Sequence, residues 1–269
     1  MGINARDGHL FCDLWSSGGL AHRSIAELGA QQVSDSLLEA TELLEQLGAI
    51  YRARGSCPLP PPLASSEGRR VLATEAPPAR LLWEWLGFRY TAIDIDGSAG
   101  AVPLDANFDS VPAEHVGQYS LVTNFGTTEH VANQLNVFRI IHDLTSVGGV
   151  MVHRLPAQGA LGHGLFSYNP KWFWLLARSN RYGWLRFEYD IGGNKDEMRT
   201  DIVQSITHMS PGNELRLSEY RVSDCAIAVV LQKLEDQPFI PPLDVPAGAT
   251  TEDPVLRDRY WTVFDSECR

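Results

Sequence analysis

The sequence predicts an α/β protein with a mostly parallel sheet, helices on both faces and an antiparallel hairpin at its C-terminal side. Three observations carry this. Short apolar, β-prone runs alternate with amphipathic segments from residue 24 to about residue 179, the order of strands joined by crossover helices. The stretch Tyr119–Val131, YSLVTNFGTTEHV, starts as a strand through Leu121 and Val122, then runs into Asn124, Phe125, Gly126, Thr127 and Thr128. That change is what the carboxyl end of a parallel strand looks like where it opens onto a ligand crevice. Finally, three β-like stretches follow the last strong helix, at 184–189, 201–208 and 226–232, and the last two are expected to pair antiparallel.

The elements follow in order. Residues 1–23 are mixed, with a helix expected near Leu10–Trp15. Ser24–Leu28, SIAEL, reads as the first strand and leads into the turn Gly29-Ala30-Gln31. A helix comes next. Ser36 and Glu39 have capping-box spacing, and Leu37, Leu44 and Leu47 lie near one face, flanked by Leu38 and Leu43. Gly48 is its expected stop. Residues 51–69, with Pro58, Pro60, Pro61 and Pro62, read as a semi-rigid surface loop rather than a lid.

Residues 70–74 form another short strand candidate, and Pro77 and Pro78 suit the start of a helix over Arg80–Leu86, ended by Gly87. LLEQLG and LLWEWLG thus read as two similar helix ends. Arg89–Ile95 is a strand with acids at its end, Asp94 and Asp96, and Ala101–Leu104 a short strand before Asp105. The strand at 119 is followed directly by a helical pattern, apolar at Val131, Leu135, Phe138, Ile141 and Leu144. Gly148-Gly149 leads into a strand at 150–155, and a helix is expected near 170–179. The proline-rich tail from Gln237 wraps the surface.

Composition bounds the function. The 269 residues suffice for one large α/β domain, and 44% hydrophobic content is ordinary for a globular protein. No apolar run has the length of about 18 residues that a membrane span needs. The N-terminus lacks a signal-peptide pattern, and Cys12, Cys57, Cys225 and Cys268 form no CxxC pair, so reduced thiols and a cytoplasmic location are expected. With 22 basic and 33 acidic residues the net charge is −11, which argues against a nucleic-acid partner. A small substrate, or one carried on another protein, fits better.

Four positions converge at the carboxyl edge of such a sheet. They are the turn Glu27-Leu28-Gly29-Ala30-Gln31, the acid at Asp94 with its rival Asp96, Asp105, and the Asn124–Gly126 turn. A glycine turn lets backbone approach a ligand, and a carboxylate at a strand end accepts from a ribose diol. Together these are parts of a nucleoside pocket. As plain structure, Asp94 is a strand-end acid and Asp105 a turn residue.

On these residues the chain resembles a family. YTAIDIDGSAGAVPLDAN, LVTNFGTTEHV and VGGVMVHRLP look like class I S-adenosylmethionine-dependent methyltransferases, closest to bacterial proteins with LELG-Q and NFGTxEHV elements. The resemblance spans roughly residues 24–190. It implies a Rossmann-like class I methyltransferase sheet and S-adenosylmethionine as cofactor. Gly29, with Glu27 and Gln31, would line its methionine part, Asp94 would hold the ribose and Asp105 would border the adenine. Asn124, Phe125 and Gly126 would stand beside the cofactor. The departure is at the first turn, where the family at large has GxGxG and SIAELGAQ offers one glycine. A second arrangement stays open, with Val71–Ala73 as first strand and 1–69 as a separate cap. The preferred division is an N-terminal cap segment at 1–23, a cofactor-binding domain at 24–235 with an insertion at about 32–78, and a tail at 236–269 packed on the domain.

Glu129 and His130 open the expected helix, where an acid complements the helix dipole. Eight histidines invite a metal, but none has HxxxH spacing or a CxxC neighbour, so none is expected. His130, His153 and His163 are candidate bases. Tyr168 and Asn169 follow the glycine-rich loop of His163 and are placed in the site. Trp172 and Phe173 read as a packed helix face. Three functions remain: methylation of a small molecule in specialised metabolism, cyclisation of the cofactor itself to azetidine-2-carboxylate and methylthioadenosine, and a degenerate non-catalytic partner subunit. Oligomeric state is not legible.

Overall fold

A computed structural model describes residues 2–20, 22–61, 76–97, 100–160, 162–191, 225–246 and 248–264. The expected strand at 201–208, the alternative first strand at 71–73 and Cys268 lie outside these residues. Among the described residues no helix is long and apolar enough to cross a membrane, and Cys12, Cys57 and Cys225 are free thiols.

The elements are α1 (Ala5–Ser16), β1 (Ser24–Leu28), α2 (Asp35–Leu38), α3 (Thr41–Tyr51), α4 (Ala79–Trp85), β2 (Arg89–Asp94), β3 (Ala101–Pro103), β4 (Tyr119–Phe125), α5 (Gln134–Leu144), β5 (Thr145–Gln158), α6 (Pro170–Asn180), β6 (Gly183–Ile191), β7 (Cys225–Gln232), α7 (Pro254–Arg259) and α8 (Trp261–Phe264). They build one seven-stranded sheet in the order β3-β2-β1-β4-β5-β7-β6. β1 is parallel to β2 and to β4, β2 to β3, and β4 to β5. β7 runs antiparallel between β5 and β6. Among the described residues the antiparallel partners of β7 are β5 and β6.

Strand periodicity sorts the core into two layers. Ile25, Leu121, Phe125, Val150 and Val152 face the side where α1, α3 and α4 contribute Phe11, Leu47 and Trp83. Ala26, Leu28, Val122, Met151 and Leu155 face the other, where α5 and α6 contribute Phe138, Ile141 and Phe173.

Local chemistry sets the boundaries, and three differ from the sequence reading. The Ser36–Glu39 capping box does not form. Ser36 lies inside the short α2, and α3 starts afresh after Ala40 with no side-chain cap. The capping box belongs to α1, where Asn4 and Asp7 exchange side-chain and backbone hydrogen bonds. Gly48 is inside α3, because the Trp85 ring would lie 2.8 Å from any Cβ there. Left-handed Arg52 ends the helix instead. Glu129 and His130 do not open α5: Thr128–His130 is a separate 3-10 turn, and Asn133 caps a helix that begins at Gln134. The buried face of α5 is carried by Val137, Phe138, Ile140, Ile141 and Leu144, while Leu135 in its first turn is 42% exposed.

α1 is fastened across the sheet. Arg154 of β5 donates to the Gly2 carbonyl at 2.6 Å, lies 3.2 Å from Asp7 and stacks on Phe125. Both charges are almost fully buried. Burial pushes the Asp7 carboxyl up, and Arg154 opposes that rise. Removing one partner strands a buried charge. Arg154→Leu should therefore destabilise the protein by about 3–5 kcal/mol in urea unfolding, with part of the loss recovered when Asp7→Asn is added. A loss below about 1 kcal/mol would mean that water already screens the pair.

Candidate functional site

The strand order reverses direction at β1, with β2 and β3 to one side and β4 and β5 to the other. In open α/β sheets, the carboxyl ends at such a point form the ligand crevice. Here these are Leu28, Asp94 and Phe125 with the turns after them.

Gly29 turns the chain at φ +71, a region open to glycine without strain. Its amide donates to the Ile93 carbonyl at 2.8 Å. A Cβ there would lie 2.8 Å from Thr127 Oγ1. Thr127 is in the turn after β4 and donates back to the Leu28 carbonyl at 2.6 Å. Gln31 ties both turns together, its Nε2 reaching Leu28 O, Gly29 O and Thr127 Oγ1 at 3.1, 3.2 and 3.4 Å.

Asp94 ends β2 beside this turn. Its Oδ2 accepts from Ala30 N–H at 2.9 Å and its Oδ1 from Ile95 N–H at 2.7 Å. An ionised carboxylate has two acceptor sites on each oxygen, so these bonds leave capacity for a diol. Asp96 is exposed two residues on. Asp105 forms a turn: its Oδ1 accepts from Asn107 N–H, and its own N–H donates to Asp109.

Glu27 is fully buried on the opposite face of β1 from Leu28 and Ala26. Its carboxylate accepts from Trp83 Nε1 at 2.7 Å, Tyr90 OH at 2.8 Å and Gln31 N–H at 3.1 Å. It fixes the turn and does not line the crevice itself. Burial pushes its carboxyl up to about 7, outweighing the three bonds that pull it down.

A second network lies under the turn after β4. Asn124 is buried, accepts from Thr128 N–H at 3.2 Å, and directs its amide at Thr128 Oγ1 and His153 Nδ1. Tyr168 OH sits 2.9 Å from Thr128 Oγ1 and 2.7 Å from Gln134 Oε1. Burial pushes its phenol above the ordinary range. Gly126, at φ +78, makes the turn above them.

Several expected site residues belong elsewhere. Phe125 is core, packed against Phe11 and under the Arg154 guanidinium. Its parity along β4 turns it to the α1 face. His153 is not a base for substrate. It is buried between Phe138 and Phe173, and desolvation pushes its pKa down to about 3. Asn169 caps α6 by accepting from Lys171 N–H at 2.9 Å. Tyr168 pins the chain to Thr128 and Gln134, partners that periodicity does not reveal.

The structure gathers Glu129, His130 and His163. Glu129 is fully buried in the 3-10 turn and does not sit at the start of α5 as the helix-dipole acid expected there. His163 Nε2 and His130 Nε2 lie 3.4 and 4.0 Å from its Oε1, and both rings are about half exposed, at 43% and 48%. The Glu129 carbonyl accepts from Leu165 and Phe166 N–H at 2.8 and 3.2 Å. Gly164 fits because any Cβ there would lie 2.8 Å from Glu129 Cγ. These residues are 33 or more apart along the chain from Glu129 or His130 to His163, so no motif spacing could bring them together on paper.

No protein-family model matches the chain and no curated protein matches it. Among solved structures it is similar to the trans-methyltransferase CalH in complex with SAH, at 11% identity and TM-score 0.39, over 84% of this chain and 55% of that one. It is also similar to a SAM-dependent methyltransferase from Archaeoglobus fulgidus, at 10% identity and TM-score 0.41, over 84% of this chain and 94% of that one. A third is the Burkholderia thailandensis 1,6-didemethyltoxoflavin-N1-methyltransferase with 1,6-didemethyltoxoflavin and S-adenosylhomocysteine bound, at 13% identity and TM-score 0.40, over 86% and 78%. The chain spans about half the length of the first. The fold assignment rests on the sheet itself: a Rossmann-like, mostly parallel sheet in which one antiparallel strand, β7, is inserted beside the last.

A carboxyl raised by folding takes up a proton between its unfolded and folded values. The contribution of Glu27 is therefore complete below about pH 4.5 and is lost as pH rises through about 7. Relative to Glu27→Gln, the wild type should lose on the order of 2 kcal/mol between about pH 5 and pH 8 in urea unfolding. Parallel curves would remove Glu27 as the titrating group. The His153 ring resonances should stay fixed over the same range. A midpoint near 6.5, the ordinary value, would return it to solvent and to the list of bases.

Proposed function

We propose that the chain is an S-adenosylmethionine-dependent methyltransferase acting on a small molecule, in specialised metabolism. The observation that carries this reading is Asp94. It ends the strand next to the switch point, its two oxygens each hold one backbone N–H, and the positive-φ turn of Gly29 stands beside it. A carboxylate so placed suits the two hydroxyls of a ribose. Gly29 and Gly126 let backbone come close to the methionine part, while Glu27 and Gln31 hold the first turn in place. Asp105 stands at the adenine side. When bound, the cofactor supplies a methyl group already activated by its sulfonium.

The work left to the protein is positioning, since the displacement is in-line and needs little covalent help. An acceptor hydroxyl or amine must also lose a proton. His130 and His163 are the imidazoles placed for this, being partly exposed at the turn after β4.

A second reading is favoured by the way residues 164–168 are drawn over the end of β4, onto the Glu129 carbonyl and Thr128. A covered edge suits a single reactant. In that case the cofactor is the substrate: its own α-amine attacks Cγ, the Cγ–S bond breaks, and azetidine-2-carboxylate and methylthioadenosine form. The Gln31 bridge to Thr127 favours a third outcome, a domain that does not bind the cofactor.

One experiment separates them. The full chain is titrated calorimetrically with S-adenosylmethionine, then incubated with it alone and with candidate acceptors, and the products are read by mass spectrometry. S-adenosylhomocysteine appearing only with an acceptor is the expected result. Methylthioadenosine from the cofactor alone would establish the cyclase, and no binding at millimolar concentration would overturn both enzymes. Asp94→Ala should weaken binding by about 1–3 kcal/mol, the range for hydrogen bonds to a charged group. Unchanged affinity would take Asp94 out of the site.

A further inference from the structure

Among the buried polar groups without a hydrogen-bond partner, the Glu129 carboxylate stands out because both of its oxygens are orphaned and two imidazoles face it. It is fully buried, and among the described residues neither oxygen accepts a hydrogen bond. A carboxylate removed from water without partners is costly, and an orphaned buried group of this kind marks an ion or water that completes it. The Asn124–Thr128–Tyr168 network does not reach it. What does face it is His163 Nε2 at 3.4 Å and His130 Nε2 at 4.0 Å from the same oxygen.

We propose that Glu129, His130 and His163 form a binding site for a divalent transition-metal cation, and that the cation clasps residues 162–166 to the turn after β4. One carboxylate oxygen and two imidazole nitrogens all lie within 4.8 Å of one another. Ligand bonds of about 2.0–2.2 Å to such a cation require the donors to stand roughly 3–3.5 Å apart. Both imidazoles are about half exposed, so they are the side chains that would turn to close that difference. The pair of imidazoles with one carboxylate selects zinc, cobalt or iron(II) over magnesium or calcium, which prefer all-oxygen sites. Their exposure also gives the ion a way in from solvent.

The backbone is already set for this. The Glu129 carbonyl holds Leu165 and Phe166 N–H, and Gly164 lets the loop lie against the Glu129 side chain. The loop that carries His163 is therefore registered on the residue that carries the carboxylate. Three protein ligands leave a coordination position for water or an oxygen of a substrate. The site stands independently of the cofactor reading, because a chain that ignored S-adenosylmethionine would still bind the ion; with the ion bound, His130 and His163 are its ligands and no longer the bases of the methyl-transfer reading.

The test uses the full chain, stripped with a chelator, dialysed and titrated with Co2+ while its visible d–d absorption is followed. One equivalent should bind, Zn2+ should displace it, and His130→Ala and His163→Ala should each weaken binding at least roughly tenfold. Both replaced rings are surface groups, so circular dichroism should show the fold intact, and Glu129→Gln should abolish the signal. Amide hydrogen exchange at Leu165 and Phe166 should slow when Zn2+ is added. No absorption at millimolar Co2+, or equal affinity in the three variants, would overturn the site. Unchanged exchange with the ion bound would overturn the clasp.

Discussion

A single buried carboxylate, that of Glu27, organises the carboxyl edge of the sheet at its switch point. It is the middle of the central strand's outer half and takes hydrogen bonds from α4 through Trp83, from β2 through Tyr90 and from the first turn through Gln31 N–H. Such bonds hold best when the acceptor is charged, yet burial favours the neutral form. The balance fixes α4 and β2 against β1 at one point. From there the constraint passes outward: Gln31 reaches Thr127, Thr127 returns to Leu28, and the ends of β1 and β4 are held in register. Asp94 then takes its place through Ala30 of the same turn.

The histidines divide by depth, and the division assigns their work. His142 is buried between Tyr182 and the Gln237 carbonyl, and burial pushes its pKa down to about 4. It anchors the start of the C-terminal segment, which α6 also holds through paired bonds between Asn180 and Ile240. His153 is likewise neutral and packed. Among the described residues, only near Glu129 do two imidazoles keep contact with solvent while facing a buried acid.

Most of the fold was legible because strand signals are local. SIAEL, RYTAID and YSLVTNF announce themselves by β-prone content, and Gly87 and Pro78 mark helix limits through backbone chemistry. What failed were readings that depended on a distant neighbour. Gly48 looks like a stop until Trp85 is seen to occupy the space beside it. Phe125 looks like a ligand contact until strand parity turns it toward α1. Among the candidate site residues, the turn at Gly29 and the strand-end place of Asp94 were readable from position alone. Glu129 was not, because its burial depends on Gly164 and its neighbours folding back across it, and nothing in the spacing of residues 129 and 163 encodes that return.

The Arg154 fastening carries a temporal meaning. Arg154 and the Gly2 carbonyl it holds are 152 residues apart. The apolar side of α1, with Leu10, Phe11 and Leu14, is formed early in synthesis but has no complete surface to rest on until β5 joins the sheet. Contacts of such separation must wait for the intervening chain to order. The first helix is therefore locked only after residue 154 has been made and placed in the sheet, and until then it presents a sticky face that a growing chain must keep from its neighbours.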